Sequence, residues 1–293
     1  MRKIIVIGSM SIDLVVSSSK RPEKGETILG DNFFTTPGGK GANQAVAAAR
    51  LGEQVYLVGR IGDDDFGKEI YENLKDNNVL VDGVEPVTQM PSGTAHITIA
   101  DQDNSIIVVP SANNEVTIEY VKKHLEQLDS GDIVLLQQEI PSETVAFAIE
   151  YCDRNGMISI LNPAPYREVS NQVIESATYI TPNETESNAM FKGNMEDALQ
   201  AYPKKLIVTM GDKGAIYHDG NRKVTVDGYK REVKDTTGAG DTFNGAFAVG
   251  LQKEYDIEKA IAFANLAASH SVTGMGAQGG MPTLLDLEGE WHV

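Results

Sequence analysis

Cysteine is almost absent: Cys152 is the single one in 293 residues. No internal disulfide is possible, and a reducing compartment, the cytoplasm, is expected. Long apolar runs are missing too. Nothing approaches the roughly 18 consecutive apolar residues that a spanning helix needs. Met1-Arg2-Lys3 leads only into Ile4-Ile5-Val6-Ile7-Gly8, too short for a signal core, so no secretory leader is expected. Positive charge is scarce: 25 Lys and Arg stand against 42 Asp and Glu, a formal charge of −17. That balance argues against nucleic acid or an anionic membrane as partner. An anionic ligand would need local neutralisation by a few lysines, helix N-termini and a divalent cation. The five histidines, at 96, 124, 218, 270 and 292, show no metal-ligand spacing.

What is present is ordinary globular composition, 41% apolar and 23% charged, in a chain long enough for one large α/β domain or two small ones. Residues 3–7 form a continuous β-branched run ending at Gly8, as suits a central parallel strand covered on both faces. The polar stretch 9–16 that follows reads as the loop beyond that strand, the place where open α/β sheets bind ligands. Asp13 within it is a site candidate, or a turn aspartate. Segments 27–34 and 94–109 alternate differently, the second broken at Asp101-Gln102-Asp103-Asn104. They predict a small mixed sheet, a lid with strands from about 11–36 and 94–110, whose apolar face would suit a homodimer contact. The middle alternates strands at 132–136, 157–161, 179–181 and 206–209 with a helix at 142–155. This rhythm predicts a single domain over 1–293, α/β, with a doubly wound, mainly parallel sheet flanked by helices. Polar clusters follow the strands at 137–139, 162–165, 182–186 and 210–214, all on one sheet edge.

Two stretches carry chemistry. In Asp235-Thr236-Thr237-Gly238-Ala239-Gly240-Asp241 a small-residue loop opens into an apolar helix through Phe243, Ala246 and Phe247. The uncovered amides of Gly238, Ala239 and Gly240 make an anion site. Asp241 is out of place there unless it accepts a proton from a hydroxyl attacking a phosphoryl group. An ordinary glycine-rich helix start with a first-turn carboxylate fits the same letters. In Pro37-Gly38-Gly39-Lys40-Gly41-Ala42-Asn43-Gln44, Lys40 and Asn43 would stand at a helix N-terminus, able to hold a polyol or phosphate. Close packing explains the alanines that follow, but not the lysine. Two apparent motifs fail. Gly62 to Glu69 lacks the P-loop Ser/Thr and puts three aspartates where phosphate would lie, and Gly274 to Gly279 has no strand before it.

Together these residues resemble the ribokinase (PfkB-type) family of carbohydrate kinases, over about residues 4–282. Gly38-Gly39-Lys40-Gly41-Ala42-Asn43 is similar to the family's first signature and 235–245 to its second. Asn162-Pro163-Ala164-Pro165 and Thr181-Pro182-Asn183-Glu184-Thr185-Glu186 point to the ribose-phosphorylating branch. The resemblance implies transfer of the γ-phosphoryl group of ATP to the 5-hydroxyl of D-ribose. It implies Asp241 as base, with Gly238, Ala239 and Gly240 as anion hole. Ser11, Asp13, Gly39, Lys40, Asn43 and Glu139 would hold the sugar beside Asp241. Asn183, Thr209, Gly211, Asp212, Gly214, Gly240 and Asn265 would hold the nucleotide. Glu186 would place Mg2+ through water, and Asp235, Thr237, Ser271, Gly274, Gly276 and Gly280 would hold K+. Asp235 points to a cation on independent grounds, as a second carboxylate near the anion hole with no basic residue between it and Asp241, beside a run of exposed glycine carbonyls. The chain departs from the family at Ser11, where Asn is usual, and at the C-terminus, where Gly289 should leave a short helix or none.

Other readings are a related sugar or nucleoside kinase, a catalytically silent sugar-binding regulator on the same fold, and a nucleotide-cofactor dehydrogenase. An intact Asp241 disfavours silence. The absent fingerprint after the first strand disfavours the dehydrogenase.

Overall fold

The computed structural model describes residues 2–101 and 103–291. The chain runs β1 (Ile4–Ile7), β2 (Ser11–Ser17), β3 (Asn32–Gly38), α1 (Lys40–Arg50), β4 (Val55–Gly62), α2 (Asp65–Asp76), β5 (Leu80–Val87), β6 (Gly93–Ala100) and β7 (Asp103–Val109). After a 3-10 turn at Ser111–Glu115 come α3 (Ile118–Leu125), β8 (Ile133–Leu136), α4 (Ser142–Asn155), β9 (Ile158–Leu161), α5 (Asn171–Ser176) and β10 (Tyr179–Ile180). The remainder is α6 (Glu184–Met190), α7 (Met195–Ala201), β11 (Ile207–Thr209), β12 (Ala215–His218), β13 (Lys223–Val226), α8 (Ala239–Gln252), α9 (Ile257–Ser271) and α10 (Leu284–Leu287).

Six strands form an all-parallel sheet in the order β10-β9-β8-β1-β4-β5. Its central strands have no polar face because both faces are covered. Ile4 and Val6 enter one core cluster with α1, α8 and α9, while Ile5 and Ile7 enter the other with α3 and α4. Strand β8 repeats the division, Ile133 and Leu135 against Val134 and Leu136. From β1 the chain moves to β4 and β5 on one side, then returns to β8, β9 and β10 on the other. The order therefore reverses between β1 and β8, and the crevice beyond their carboxyl ends is where such sheets bind ligands. β11, β12 and β13 make a separate antiparallel sheet, joined to the first by parallel bridges at Ile180–Leu206 and Asn183–Thr209. The expected strand at 206–209 thus forms, but at a seam.

The lid sheet runs β3-β2-β6-β7, with β2 and β6 parallel and the other pairs antiparallel, a mixed sheet as expected. Two expectations are corrected. The stretch 9–16 is a loop only as far as Met10, and from Ser11 it is β2 itself, paired over seven residues with β3. The strand expected at 27–34 starts at Asn32 and runs to Gly38. Its apolar letters are spread over an exposed approach, and pairing with β2 rather than alternation sets the limits. Of the expected break at 101–104, Gln102 lies outside the described residues, as do Met1, His292 and Val293. The C-terminal helix is short, as expected: α10 has four residues.

α8 is buried without a break from Asp241 to Leu251, so it is the central post of the domain. It lies tightly on α1: a Cβ on Gly245 would stand 2.7 Å from the Gln44 carbonyl. The alanines of α1 are thus explained by close packing. Lys40 and Asn43, at the open end of the same helix, are left for another account.

Candidate active site

Helix α1 begins at the bottom of the crevice because Gly39 takes φ +90° and passes under the chain at Met10 and Ser11, where a Cβ would meet the Met10 Cα at 2.8 Å. Its first turn carries Lys40, Asn43 and Gln44. Across from it Gly238, at φ +80°, starts α8, and Asp241 follows in the first turn. The two helix starts meet at the Asp241 carboxylate. Asn43 Nδ2 donates to Oδ2 at 3.0 Å, and Gln44 Nε2 donates to Oδ1 at 3.1 Å. Asp241 is only 5% exposed. An ordinary first-turn carboxylate would lie in solvent, so this one is held in place, with a lone pair left on each oxygen. Gln44 was not singled out from the sequence: an amide in an alanine-rich helix reads as a polar face, and its partners lie up to 197 positions away.

Four carboxylates surround one ammonium. Lys40 is raised above the usual lysine value, by Asp241 foremost, against burial, and then by Glu139, Glu186 and Asp13. Glu139 Oε2 accepts from the Ser9 hydroxyl at 2.6 Å and from the Lys40 amide at 3.1 Å, which ties the end of β8 to the loop after β1 and the start of α1. Asp13 sits in β2 with Gly38 beside it, where a Cβ would stand 2.4 Å from its Oδ1. Burial, then repulsion from Glu139 and Asp241, push the Asp13 carboxyl up to about 7, against a hydrogen bond from Ser11 and the charge of Lys40. Ser11, Asp13, Gly39, Lys40, Asn43 and Glu139, drawn from β2, α1 and the end of β8, therefore gather about Asp241.

Two cavities flank Asp241's helix start. The smaller, about 210 Å³, is lined by Lys40, Asn183, Glu186, Gly238, Gly240 and Asp241 among others. The larger, about 400 Å³, is mostly apolar and includes Thr209, Gly211, Asp212, Gly214, Gly240 and Asn265. They share Thr209, Thr236 and Gly240. Six of the seven expected nucleotide residues thus line the larger cavity. Asn183 lies in the smaller one, where it caps α6 in a reciprocal pair with Glu186. Burial raises Glu186 above the usual carboxylate range, against a bond from the Asn183 amide. Asn265, rather than aiming at a ligand, donates to the Val226 and Asp227 carbonyls at 3.0 and 3.2 Å, which fixes the wall.

The stretch 271–280 closes against the approach to α8. Asp235 Oδ1 accepts from the amide and hydroxyl of Thr237, and Oδ2 from the Gly276 amide at 2.8 Å. Burial opposes these bonds, but they prevail and hold Asp235 below the usual carboxylate range. The Ser271 carbonyl packs against Gly280, where any Cβ would collide with it at 1.9 Å. No group of three or more His, Cys, Asp or Glu suited to a metal occurs among the described residues, so any ion here would lean on carbonyls, hydroxyls and water.

A carboxylate cluster about Lys40, a buried aspartate held by two side-chain amides and a glycine-rich helix start between two cavities suit a kinase. The description "pfkB family carbohydrate kinase" fits residues 1–284. The chain belongs to the pfkB family of carbohydrate kinases. Among pfkB family relatives, the ribokinase of Bacillus subtilis is 54% identical over 98% of this chain and 99% of its own. A solved ribokinase from Thermotoga maritima superposes with a TM-score of 0.89 at 35% identity, covering 99% of each chain. Another, from Arabidopsis thaliana and complexed with ribose and ATP, gives 0.86 at 32% identity over 98% of this chain and 99% of that one. These likenesses agree with the parallel sheet and the small lid, and with the kinase reading of the crevice.

Proposed function

We propose that this chain transfers the γ-phosphoryl group of ATP to the 5-hydroxyl of D-ribose. The observation that carries the reading is Asp241: buried, gripped by Asn43 and Gln44, and set at a helix start beside both cavities. ATP lies with its base in the larger, apolar cavity and its phosphates toward Gly240. Ribose lies among Asp13, Asn43 and Glu139, its hydroxyls donating to the carboxylates. Asp241 takes the proton of the 5-hydroxyl as that oxygen attacks, and the amides of Gly238, Ala239 and Gly240 receive charge on the transferring group. Lys40, lining the smaller cavity, adds the one positive side chain there among the described residues. The transition state is loose, so position and charge matter more than covalent chemistry.

The residues present fit two cations. Asp13, Glu139, Glu186 and Asp241 outnumber Lys40, so a triphosphate needs further positive charge. Mg2+ beside Glu186, through water, would supply it by neutralising the phosphates. Asp235 accepts three hydrogen bonds and keeps about one of its four lone-pair positions for K+. Thr237 and the carbonyl side of 271–280 would complete that site, away from the substrates. The single thiol, Cys152, is buried, which suits a reducing cytoplasm.

The test is ATP turnover with ribose, deoxyribose, hexoses and nucleosides, beside Asp241→Asn. Ribose should lead, and the variant should lose about 10²–10⁴-fold in kcat while still binding ATP. Preference for a nucleoside or hexose would move the chain elsewhere in the family, and a near wild-type Asp241→Asn would remove the base.

A further inference from the structure

Asn43 and Gln44 are not free-standing. Behind Gln44, Gln137 Nε2 donates to the Gln44 Oε1 at 2.7 Å, which leaves the Gln44 amide nitrogen facing Asp241. Behind Asn43, Gln278 Nε2 donates to the Asn43 Oδ1 at 3.0 Å, and Asn43 Nδ2 therefore faces Asp241 Oδ2. Gln278 is itself directed. Asn73 Nδ2 of α2 donates to its Oε1 at 3.0 Å, and the Arg50 guanidinium, at the far end of α1, donates to its backbone carbonyl at 2.5 Å. Asn43 and Arg50 stand seven positions apart, two turns along one face of α1, so that face grips residue 278 twice. Gln278 is 7% exposed and lies in neither cavity.

The neighbours of Gln278 touch the rest of the machinery. The Gly276 amide binds Asp235, and the Ala277 carbonyl lies so close to Gly238 that a Cβ there would meet it at 2.2 Å. Three consecutive residues thus reach the Asp235 turn, the first residue of the anion hole and, through Asn43, the base.

We infer that Gln278 is a positioning residue for Asp241, which it orients by fixing which end of the Asn43 amide faces the carboxylate. An amide turned over would set Asn43 Oδ1 against Asp241 Oδ2, oxygen against oxygen, and disorder the base. Gln278 touches no substrate itself, but Asn43 lies against ribose, so its effect belongs in kcat and the KM for ribose and not in ATP binding. The inference rests on the reading of Asp241 as base.

Gln278→Met removes the donor at similar volume. Gln278→Glu keeps an acceptor for Asn73, but it cannot donate to Asn43 and draws the wrong end of that amide toward itself. We expect kcat to fall roughly 10-fold in the first and more in the second, a scale set by one hydrogen bond to a charged group. The KM for ATP should stay within about twofold, since no nucleotide contact changes. In an Asn43→Ala background neither substitution should cost anything further, because the link is already cut. A kcat within about twofold of wild type for both variants overturns the inference. So does an equal loss in the Asn43→Ala background, which would show that Gln278 only braces its loop. If the Gln278 variants do not fold, Asn73→Ala decides: a lower kcat present only with Asn43 intact supports the link, and an unchanged kcat overturns it. Wild type and Asp241→Asn run alongside. Failure of wild type to phosphorylate ribose, or activity in Asp241→Asn, strikes the proposed function, whereas normal Gln278 variants beside a dead Asp241→Asn strike this inference alone.

Discussion

Asp13 is the residue whose environment is most at odds with its ordinary chemistry. Its carboxyl is pushed up to about 7 by burial and by Glu139 and Asp241, from an ordinary 3.8. The sign follows. A folded value above the unfolded one gives stability that is complete below the unfolded value and lost as pH rises through the folded one. Ligand-free wild type should therefore lose stability between about pH 4 and pH 7 relative to Asp13→Asn, which stays neutral, and the gap should level off above pH 7. Melting both proteins at pH 5 and pH 8 checks this: wild type should lose stability relative to Asp13→Asn between the two, and a wild type that gains on the variant contradicts it. Ribose binding should run the other way, because the sugar hydroxyls need the ionised acceptor: its KM should rise below about pH 7 in wild type. Asp13, Lys40 and Asp241 were legible in the sequence because each is a charged group where packing alone would not put one. Gln44 and Gln278 were not, and Gln137 was read only as part of the polar cluster at 137–139. Amides carry no charge that looks misplaced, and their meaning lies in which end faces which partner, across 93 and 235 positions.

At the scale of elements, the parallel strands β1, β8, β9 and β10 and the helix after β8 were readable nearly to the residue, since a run such as Ile133–Leu136 allows little else, whereas β4 and β5 were not read. The lid was readable in kind but not in extent. β2 fell within the span expected to supply lid strands, but its residues 11–16 were also read as the loop after β1, because its pairing with β3 and β6 is a tertiary matter. The element that best repays a test is the turn after α9. Asp235 is already bonded to Thr237 and Gly276, so a turn-capping role needs no ion. Turn-capping uses three of the four Asp235 lone-pair positions, and the Ser271 carbonyl takes only the Gly274 amide at 3.4 Å, so K+ would suit the capacity left on both. K+ should raise kcat at saturating Mg-ATP and ribose, by steadying the amides of Gly238 and Gly240, and Na+ should do less. Rates measured at matched ionic strength in carefully desalted buffer, with and without K+, decide it: equal rates leave Asp235 as a cap only.

The whole molecule presents a contradiction between charge and surface. A chain at −17 should repel its copies, yet its lid strands expose Val16, Phe33, Phe34, Ile99, Ile106 and Ile107. All of β7 is exposed, and Phe33 and Ile107 are 63% and 69% so. The same sheet has work to do on its inner side, where Ser11, Asp13 and Val15 of β2 are buried. A sheet that must hold sugar-binding groups steady while its outer residues lie in water gains from a partner, and a second copy offers a surface of the same kind in a closed two-fold pair. The charge would then limit assembly to that face, since repulsion elsewhere opposes larger aggregates. We expect a dimer at micromolar concentration and a monomer for Phe33→Glu combined with Ile107→Glu, because four carboxylates, two from each copy, would have to be buried in the pair. In that monomer kcat/KM for ribose should fall several-fold, about 1 kcal/mol of lost support for Asp13, with ATP binding unchanged. Molecular mass by solution scattering reads the first outcome. A wild-type monomer with full activity would show that the exposed lid is neither paired nor in need of pairing.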